Sequence, residues 1–403
     1  MAGGALVLAG VGRILAMPEL FVLAAGAGAL VAAATFAVRL PNVQVQASRE
    51  LHPPKVQAGG ASRVELALRN VGARRTPVVL VRDPFDEGRR QARFLLAPVH
   101  PGEVARAAYR LPTEKRGVFT IGPLELEVSD SFGLTSVVNE IAPSTQLTVY
   151  PRTDRIVPLP HTRGHDPHAG ADHPTALGAT GDDFYALRAY EMGDDLRRVH
   201  WPSTARLDEL MIRQLEMPWQ GRATVLLDVR GRSHNEESLE LAVSAAASIV
   251  TASWGRGSLL RLVTTGGLDT GFAAGHQHVE SIMEELATIG PAGKDRLEPV
   301  LAGLRGPGNA GALAAIFTAE ATQGELERVA RIQRRFGALT MVVFERSSYG
   351  VSSAGTRRPA GGKRGAAMVA TGINVVRVTD RQPFAAAWNQ AIAPRTRVQV
   401  RQS

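Results

Sequence analysis

Hydrophobic positions along the chain fall into three regimes. The first is a single uncharged run from Leu20 to Val38, LFVLAAGAGALVAAATFAV, bounded by Glu19 and Arg39. At 1.5 Å per helical residue the run spans about 28 Å, close to the thickness of a hydrocarbon core. A shorter apolar stretch, Gly3 to Ala16, precedes it and carries Arg13, with Met17-Pro18-Glu19 as the turn between. Residues 1–40 are therefore expected to form a transmembrane hairpin, with a clear helix at 20–38 and a short one at 3–16. A cleaved leader fits less well, because a basic n-region is lacking and the run exceeds a usual leader core. Arg39, Arg49 and Lys55 follow the span and only Arg13 precedes it. That balance places the bulk of the chain on the cytoplasmic side of the inner (plasma) membrane.

In the second regime, residues 41–151, apolar and polar positions alternate in short runs: VQVQASREL, RVELALRNV, TPVVLVRDP, ARAAYRLPT, RGVFTIGPLELEV and TQLTVYP. Gly and Pro turns separate them, which predicts an all-β sandwich of Ig-like type. Residues 152–181 are rich in Pro, Gly, His and Asp and read as a linker. From Asp182 to the end at 403 the period changes again. A helix is expected from Asp194 to Ala205, limited by Pro202 and closed by His200 and Trp201. Glu209–Met217 and Ala223–Val229 read as neighbouring strands. Helices follow at Ser238–Trp254, His276–Ala287, Arg296–Leu304, Glu325–Phe336 and Pro383–Ile392. Strands fall between them at Ser258–Thr264, Ala312–Thr318, Leu339–Phe344 and Ile373–Val378, with a loop at Ser347–Gly365. This alternation predicts a mostly parallel, Rossmann-like α/β sheet covered on both faces.

Composition narrows the function. The chain has 403 residues, 44% hydrophobic and 21% charged, and a net charge of +8. Those are globular values, with room for two or three domains. The basic residues are nearly all Arg; only Lys55, Lys115, Lys294 and Lys363 are Lys. Aromatics are 5%, too sparse for base-stacking platforms, so no nucleic-acid partner is expected. The absence of cysteine excludes disulfides, Cys-ligated zinc and thiol catalysis. The sequence contains neither a G-x4-GK-(S/T) phosphate loop nor a G-x-S-x-G elbow. No cofactor is expected.

The densest polar segment is DDFYALRAYEMGDDLRRVHWPSTARLDELMIR, from Asp182 to Arg213. Gly193 suits a tight turn, and Asp194 or Asp195 suits a helix cap. Arg188, Arg197, Arg198 and Arg206 can pair those carboxylates, and Tyr190, His200 and Trp201 complete the set. Three roles are open: a structural ion-pair clasp, a docking surface, or a metal-dependent or hydrolytic site built on Asp182, Asp183, Asp194, Asp195 and His200. The last lacks a nucleophile with an oriented base. His161, His165, His168 and His173 share the Gly/Pro-rich linker and have no rigid frame to hold a metal.

The string FYALRAYEMGDDLRRVHWPSTAR resembles the signature of the bacterial family called domain of unknown function 58. Leu187, Arg188, Tyr190, Gly193, Asp194, Arg197, Trp201, Ala205 and Arg206 match that pattern. RGVFTIGPLELEVSDSFGL, from Arg116, resembles the family's second hallmark, with Ser131 where Pro is usual. The resemblance implies a von Willebrand factor A-like α/β domain after the β-sandwich and the hairpin. It also implies a membrane-anchored scaffold or adaptor. The implied partner is a MoxR-type AAA+ ATPase, with a transglutaminase-like membrane protein as a second one, and the setting is assembly of other complexes. An outward-facing adhesion module is the competing reading of the same layout. Von Willebrand A domains that bind Mg²⁺ end their first strand in D-x-S-x-S. Here Asp228 is followed by Arg230 and Arg232 at the two hydroxyl places, and guanidinium groups cannot ligate Mg²⁺. Asp228, Ser233 and Asp269 remain as weak metal candidates, and Asp228 beside Arg230 reads more simply as an ion pair.

Overall fold

A computed structural model describes residues 2–39, 43–130, 133–160, 184–190, 199–207, 209–215, 221–306, 309–318, 321–345 and 373–392. Two compact units divide the chain. One is residues 1–152 with 284–288; the other is the remainder.

The first unit opens with helices α1 (Ala2–Leu15) and α2 (Pro18–Arg39), packed against each other. Ala16, at φ +50°, and the Leu20 N–H to Met17 carbonyl bond make the turn between them. Residues Pro18–Phe36 are long and apolar enough to cross a membrane, with a mean hydropathy of 1.8. The short companion stretch is helical, as its composition predicts.

Ten strands follow: β1 (Val45–His52), β2 (Lys55–Gln57), β3 (Ser62–Asn70), β4 (Val79–Phe85), β5 (Arg90–Leu96), β6 (Val104–Leu111), β7 (Gly117–Ile121), β8 (Leu124–Ser129), β9 (Ser136–Ala142) and β10 (Thr145–Tyr150). One sheet has the order β1-β3-β6, and the other β2-β10-β7-β4-β8-β9, with β5 on β4. Alternation in β3 buries Val64, Leu66 and Leu68, and in β4 Val79, Val81 and Phe85. The inner faces of both sheets enter one core with Ile121, Leu126 and Leu147. Gly122-Pro123 divides the run RGVFTIGPLELEV into β7 and β8, a break that the apolar pattern conceals. Gly122 sits at φ +94°, and a Cβ there would lie 2.6 Å from a guanidinium nitrogen of Arg49. The second hallmark thus has a packing reason.

The second unit begins before its first strand. Residues 153–160, the start of the expected linker, are bolted to it. The Asp154 N–H donates to Ser248 Oγ, and Val157 N–H to Asn389 Oδ1. Trp388 Nε1 donates to the Val157 carbonyl and Arg256 to that of Leu159.

Next come β11 (Phe184–Ala189), α3 (Trp201–Leu207) and β12 (Met211–Leu215). β11 and β12 form a separate antiparallel pair, so the strand expected at Glu209–Met217 pairs backward with β11 and not with the strand after it. Of the helix expected at Asp194–Ala205, residues 194–198 lie outside the described residues, and the described helix runs from Trp201 to Leu207. His200 and Trp201 stand at the start of α3, where Pro202 falls in the first turn and its missing N–H costs nothing.

The main sheet contains β13 (Arg222–Leu227), β14 (Leu259–Thr264), β15 (Ala312–Thr318), β16 (Ala338–Phe344) and β17 (Asn374–Val378), all parallel, in the order β14-β13-β15-β16-β17. Helices α4 (Glu236–Gly255), α5 (His276–Thr288), α6 (Leu297–Arg305), α7 (Gln323–Ile332) and α8 (Phe384–Ile392) complete it. α6 and α7 cover one face through Leu297, Leu301, Leu304, Val329 and Ile332, against Leu226, Leu313, Ala315 and Phe317. α4 lies on β13, β14 and β15 with its Ala-rich face buried. Close strand approach shows at Gly311 (φ +93°), where a Cβ would stand 2.2 Å from the Arg222 carbonyl oxygen. The free side of β14 is covered by the chain returning antiparallel at Asp269 and Ala273, which blunts an exposed edge.

Candidate functional site

Strand order reverses between β13 and β15, and the crevice beyond their carboxyl ends is where open α/β sheets receive ligands. Asp228, directly after β13, is fully buried there. Its two oxygens accept from Arg230 Nε at 2.8 Å and Arg230 Nη2 at 2.9 Å. Oδ1 also accepts from Thr265 Oγ1 at 2.9 Å. Arg230 is 1% exposed. Its Nη1 donates to Glu325 at 2.6 Å and Asp295 at 3.2 Å. Arg232 donates to the same two oxygens at 2.8 and 2.6 Å.

Each of these two carboxylates also begins a helix. Asp295 Oδ1 accepts from the Leu297 N–H at the start of α6, and Glu325 Oε2 from the Thr322 N–H in the capping box of α7. Burial pushes both upward, but the arginines and the helix N–H groups outweigh it and hold both below the usual carboxylate range. For Arg230, burial is outweighed by Asp228, Glu325 and Asp295, and its affinity for the proton rises.

His234 borders this network. Its Nδ1 lies 3.3 Å from Ser238 Oγ, and its Nε2 is buried without a hydrogen-bond partner. Burial, the largest influence, pulls its pKa below 6.5 against the attraction of Asp228. Neutral His234 therefore supports folding above the unfolded value, and that support is lost as the pH falls through the depressed folded value. Melting of the wild type should weaken as the pH falls below 6.5, and weaken less in His234→Gln. Equal losses in both proteins would remove His234 as the cause.

The residues present do not fit the divalent cation implied by the von Willebrand A resemblance. Both oxygens of Asp228 are held by a guanidinium that occupies the place a cation would need. The other two candidates lie in separate surroundings. Ser233 N–H donates to the Arg230 carbonyl, and its own carbonyl accepts from Thr318 Oγ1. Asp269 forks onto Arg261 at 2.8 and 2.5 Å.

Of the signature residues, Gly193, Asp194, Asp195 and Arg197 lie outside the described residues, as do Asp182, Asp183 and the linker histidines. Arg188 is placed in β11 opposite Ile212. Tyr190 N–H bonds to the Leu210 carbonyl, and His200 N–H to that of Met211 at 2.7 Å. His200 Nδ1 meets Ser203 Oγ at 2.8 Å, and Met211 N–H donates to Thr204 Oγ1. The segment is thus tied to β12 by backbone and small hydroxyls. On α3 three large side chains remain outside: Trp201 is 67% and Leu207 62% exposed, and Arg206 is exposed.

Residues 186–368, from β11 to beyond β16, match the family model described as protein of unknown function DUF58. This region is a DUF58 domain. The match takes in both the signature and the switch-point network. Over 131 residues the chain is 30% identical to uncharacterized protein Rv1480 of Mycobacterium tuberculosis (strain ATCC 25618 / H37Rv) and to uncharacterized protein Mb1516 of Mycobacterium bovis. That stretch is 30% of this chain and spans 41% of the length of those relatives. Among solved structures, the CARDB domain of a Pyrococcus furiosus protein in complex with di-metal ions is similar at 15% identity. It covers 27% of this chain and 91% of that one, with a TM-score of 0.21. The putative ApaA protein of Bordetella pertussis is similar at 15% identity, covering 28% and 96%, with a TM-score of 0.21. Scores this low establish neither a shared fold nor an activity for the regions outside or inside the DUF58 domain.

Proposed function

We propose that this DUF58 protein is a membrane-anchored, non-enzymatic adaptor that works with a MoxR-type AAA+ ATPase in the assembly or maturation of protein complexes. The observation that carries the docking role is the exposure of Trp201 and Leu207 on α3, within a segment otherwise tied down by hydrogen bonds. Large apolar side chains left outside such a clasp mark a protein-binding face. The ATPase, and a transglutaminase-like membrane protein as a further neighbour, come from the family resemblance. The parallel order with helices on both faces supports a von Willebrand factor A-like reading of the second unit, and the two sheets over one core support an Ig-like reading of the first. The helix Pro18–Phe36 supports anchoring, and the basic residues that follow it support a cytoplasmic orientation.

The test is capture from native membrane lysate with ATP present, using the whole chain as bait. The wild type should retain an AAA+ ATPase, and Trp201→Ala/Leu207→Ala should lose about tenfold or more while melting unchanged. Equal capture by both baits would make α3 a structural clasp. Capture by neither would sink the ATPase partnership.

A further inference from the structure

We propose that the switch-point crevice is a carboxylate receptor, in which Arg230 and Arg232 accept an acidic side chain of a partner polypeptide in exchange for Asp295. This goes beyond the adaptor reading and does not depend on α3.

The argument starts from the donors of Arg230. A guanidinium has five N–H groups. Four reach Asp228, Glu325 and Asp295. The fifth, on Nη2, has no acceptor among the described residues. Buried polar groups are normally satisfied. An unmet N–H on a buried cation, at the ligand end of an open sheet, marks a place built for a further acceptor.

The carboxylates already present are not equivalent. Asp228 is bidentate and fully buried, and Glu325 is locked to the first turn of α7. Asp295 is 42% exposed and touches Arg230 once, at 3.2 Å, the longest of the Arg230 ion pairs. Arg232, its other partner, is 58% exposed. These two are the solvent-side members of the network. A carboxylate displacing Asp295 would accept from Nη1 and from the unmatched Nη2 N–H together, a fork that Asp295 leaves half used. Lys294 and Arg296 flank Asp295 and are exposed, so the rim attracts acidic groups. The cation in this crevice belongs to the protein, so the exchange requires no metal.

The test is calorimetric titration of the whole chain in detergent with an end-capped tetra-aspartate peptide, an end-capped tetra-lysine peptide serving as control. Asp295→Asn keeps an oxygen for the Leu297 N–H and removes the internal competitor. It should bind the acidic peptide about tenfold more tightly than wild type, equally with Mg²⁺ or a chelator. Adding Arg232→Ala should abolish that gain. Asp295→Ser, which also retains an oxygen, serves if the Asn variant melts early. A folded Asp295 variant with no gain, a gain that survives Arg232→Ala, equal binding of tetra-lysine, or binding that needs Mg²⁺ would each overturn the proposal. The peptide reads this crevice alone, so its failure leaves ATPase capture through Trp201 as a separate result.

Discussion

Arg230→Ala is expected to destabilise the α/β unit by about 3–5 kcal/mol, the usual cost of removing one partner from a buried ion network. The substitution leaves Asp228, with no exposed surface, facing only Thr265 and backbone, and leaves Glu325 with Arg232 as its remaining cation in the network. It also opens a void the size of a long side chain between two helix starts. Urea unfolding, followed through the buried Trp388, measures the loss. Arg230→Lys should recover only part of it, because an ammonium cannot fork onto Asp228. Asp228→Asn combined with Arg230→Ala should cost less than the sum of the two single changes, since the orphaned charge is gone. A loss below about 1 kcal/mol for Arg230→Ala would show a solvated pair instead of a buried one.

The second large effect is expected in the β-rich unit. Arg49 of β1 reaches across to Asp83 of β4, with Nε at 3.1 Å and Nη2 at 2.6 Å. Tyr109 Oη donates to Asp83 at 2.6 Å, and Arg49 Nη1 caps the carbonyls of Ile121 and Pro143. Burial pushes the Asp83 carboxyl up despite Tyr109 and Arg49, and pushes the Tyr109 phenol up with it. Arg49→Ala leaves the fully buried Asp83 carboxylate with Tyr109 alone and frees the Ile121 carbonyl, so a loss of about 3–5 kcal/mol is expected. Gly122→Ala attacks the same contact, because its Cβ would meet the Arg49 guanidinium at 2.6 Å. It also carries about 1–3 kcal/mol of backbone strain at positive φ. In the Arg49→Ala background only the strain remains, so the two changes should be clearly sub-additive in thermal melts. Simple additivity would mean that the hallmark glycine serves the turn alone.

Much of the architecture was legible because burial imposes period. The β-branched alternation of β3 and β4, the uninterrupted apolar runs of β13 and β15, and the small-residue face of α4 each state which side is covered. β5 and β9 were missed because much of each is exposed, β9 at a sheet edge and β5 off the main strand path, so neither carries a strong pattern. The backward pairing of β12 was hidden for a different reason: a strand's partner is not written in its own residues. The candidate site divides in the same way. Asp228 and Arg230 are two residues apart and read as a pair at once. Glu325 lies 95 residues from Arg230, and Asp295 lies 65 away. Glu325 carried only a capping signal, T-x-x-E, and Asp295 only a loop position. The topology brings Glu325 in by setting the ends of β13 and β15 side by side, and Asp295 in through the pairing of Ala292 with Val229 and Gly231. His234 gave no signal at all, since nothing local distinguishes a buried imidazole from an exposed one.

The double use of Glu325 and Asp295 has a consequence for how the domain opens. Each spends one oxygen on a helix's first turn and the other on the arginines after β13. Unwinding the start of α6 or α7 therefore withdraws a counter-ion from Arg230, and freeing Arg230 removes the charge that holds each helix cap in place. Fraying, normally independent at each helix end, is coupled across three segments that are far apart in sequence. The loops at the ligand end of the sheet therefore form a single cooperative opening unit.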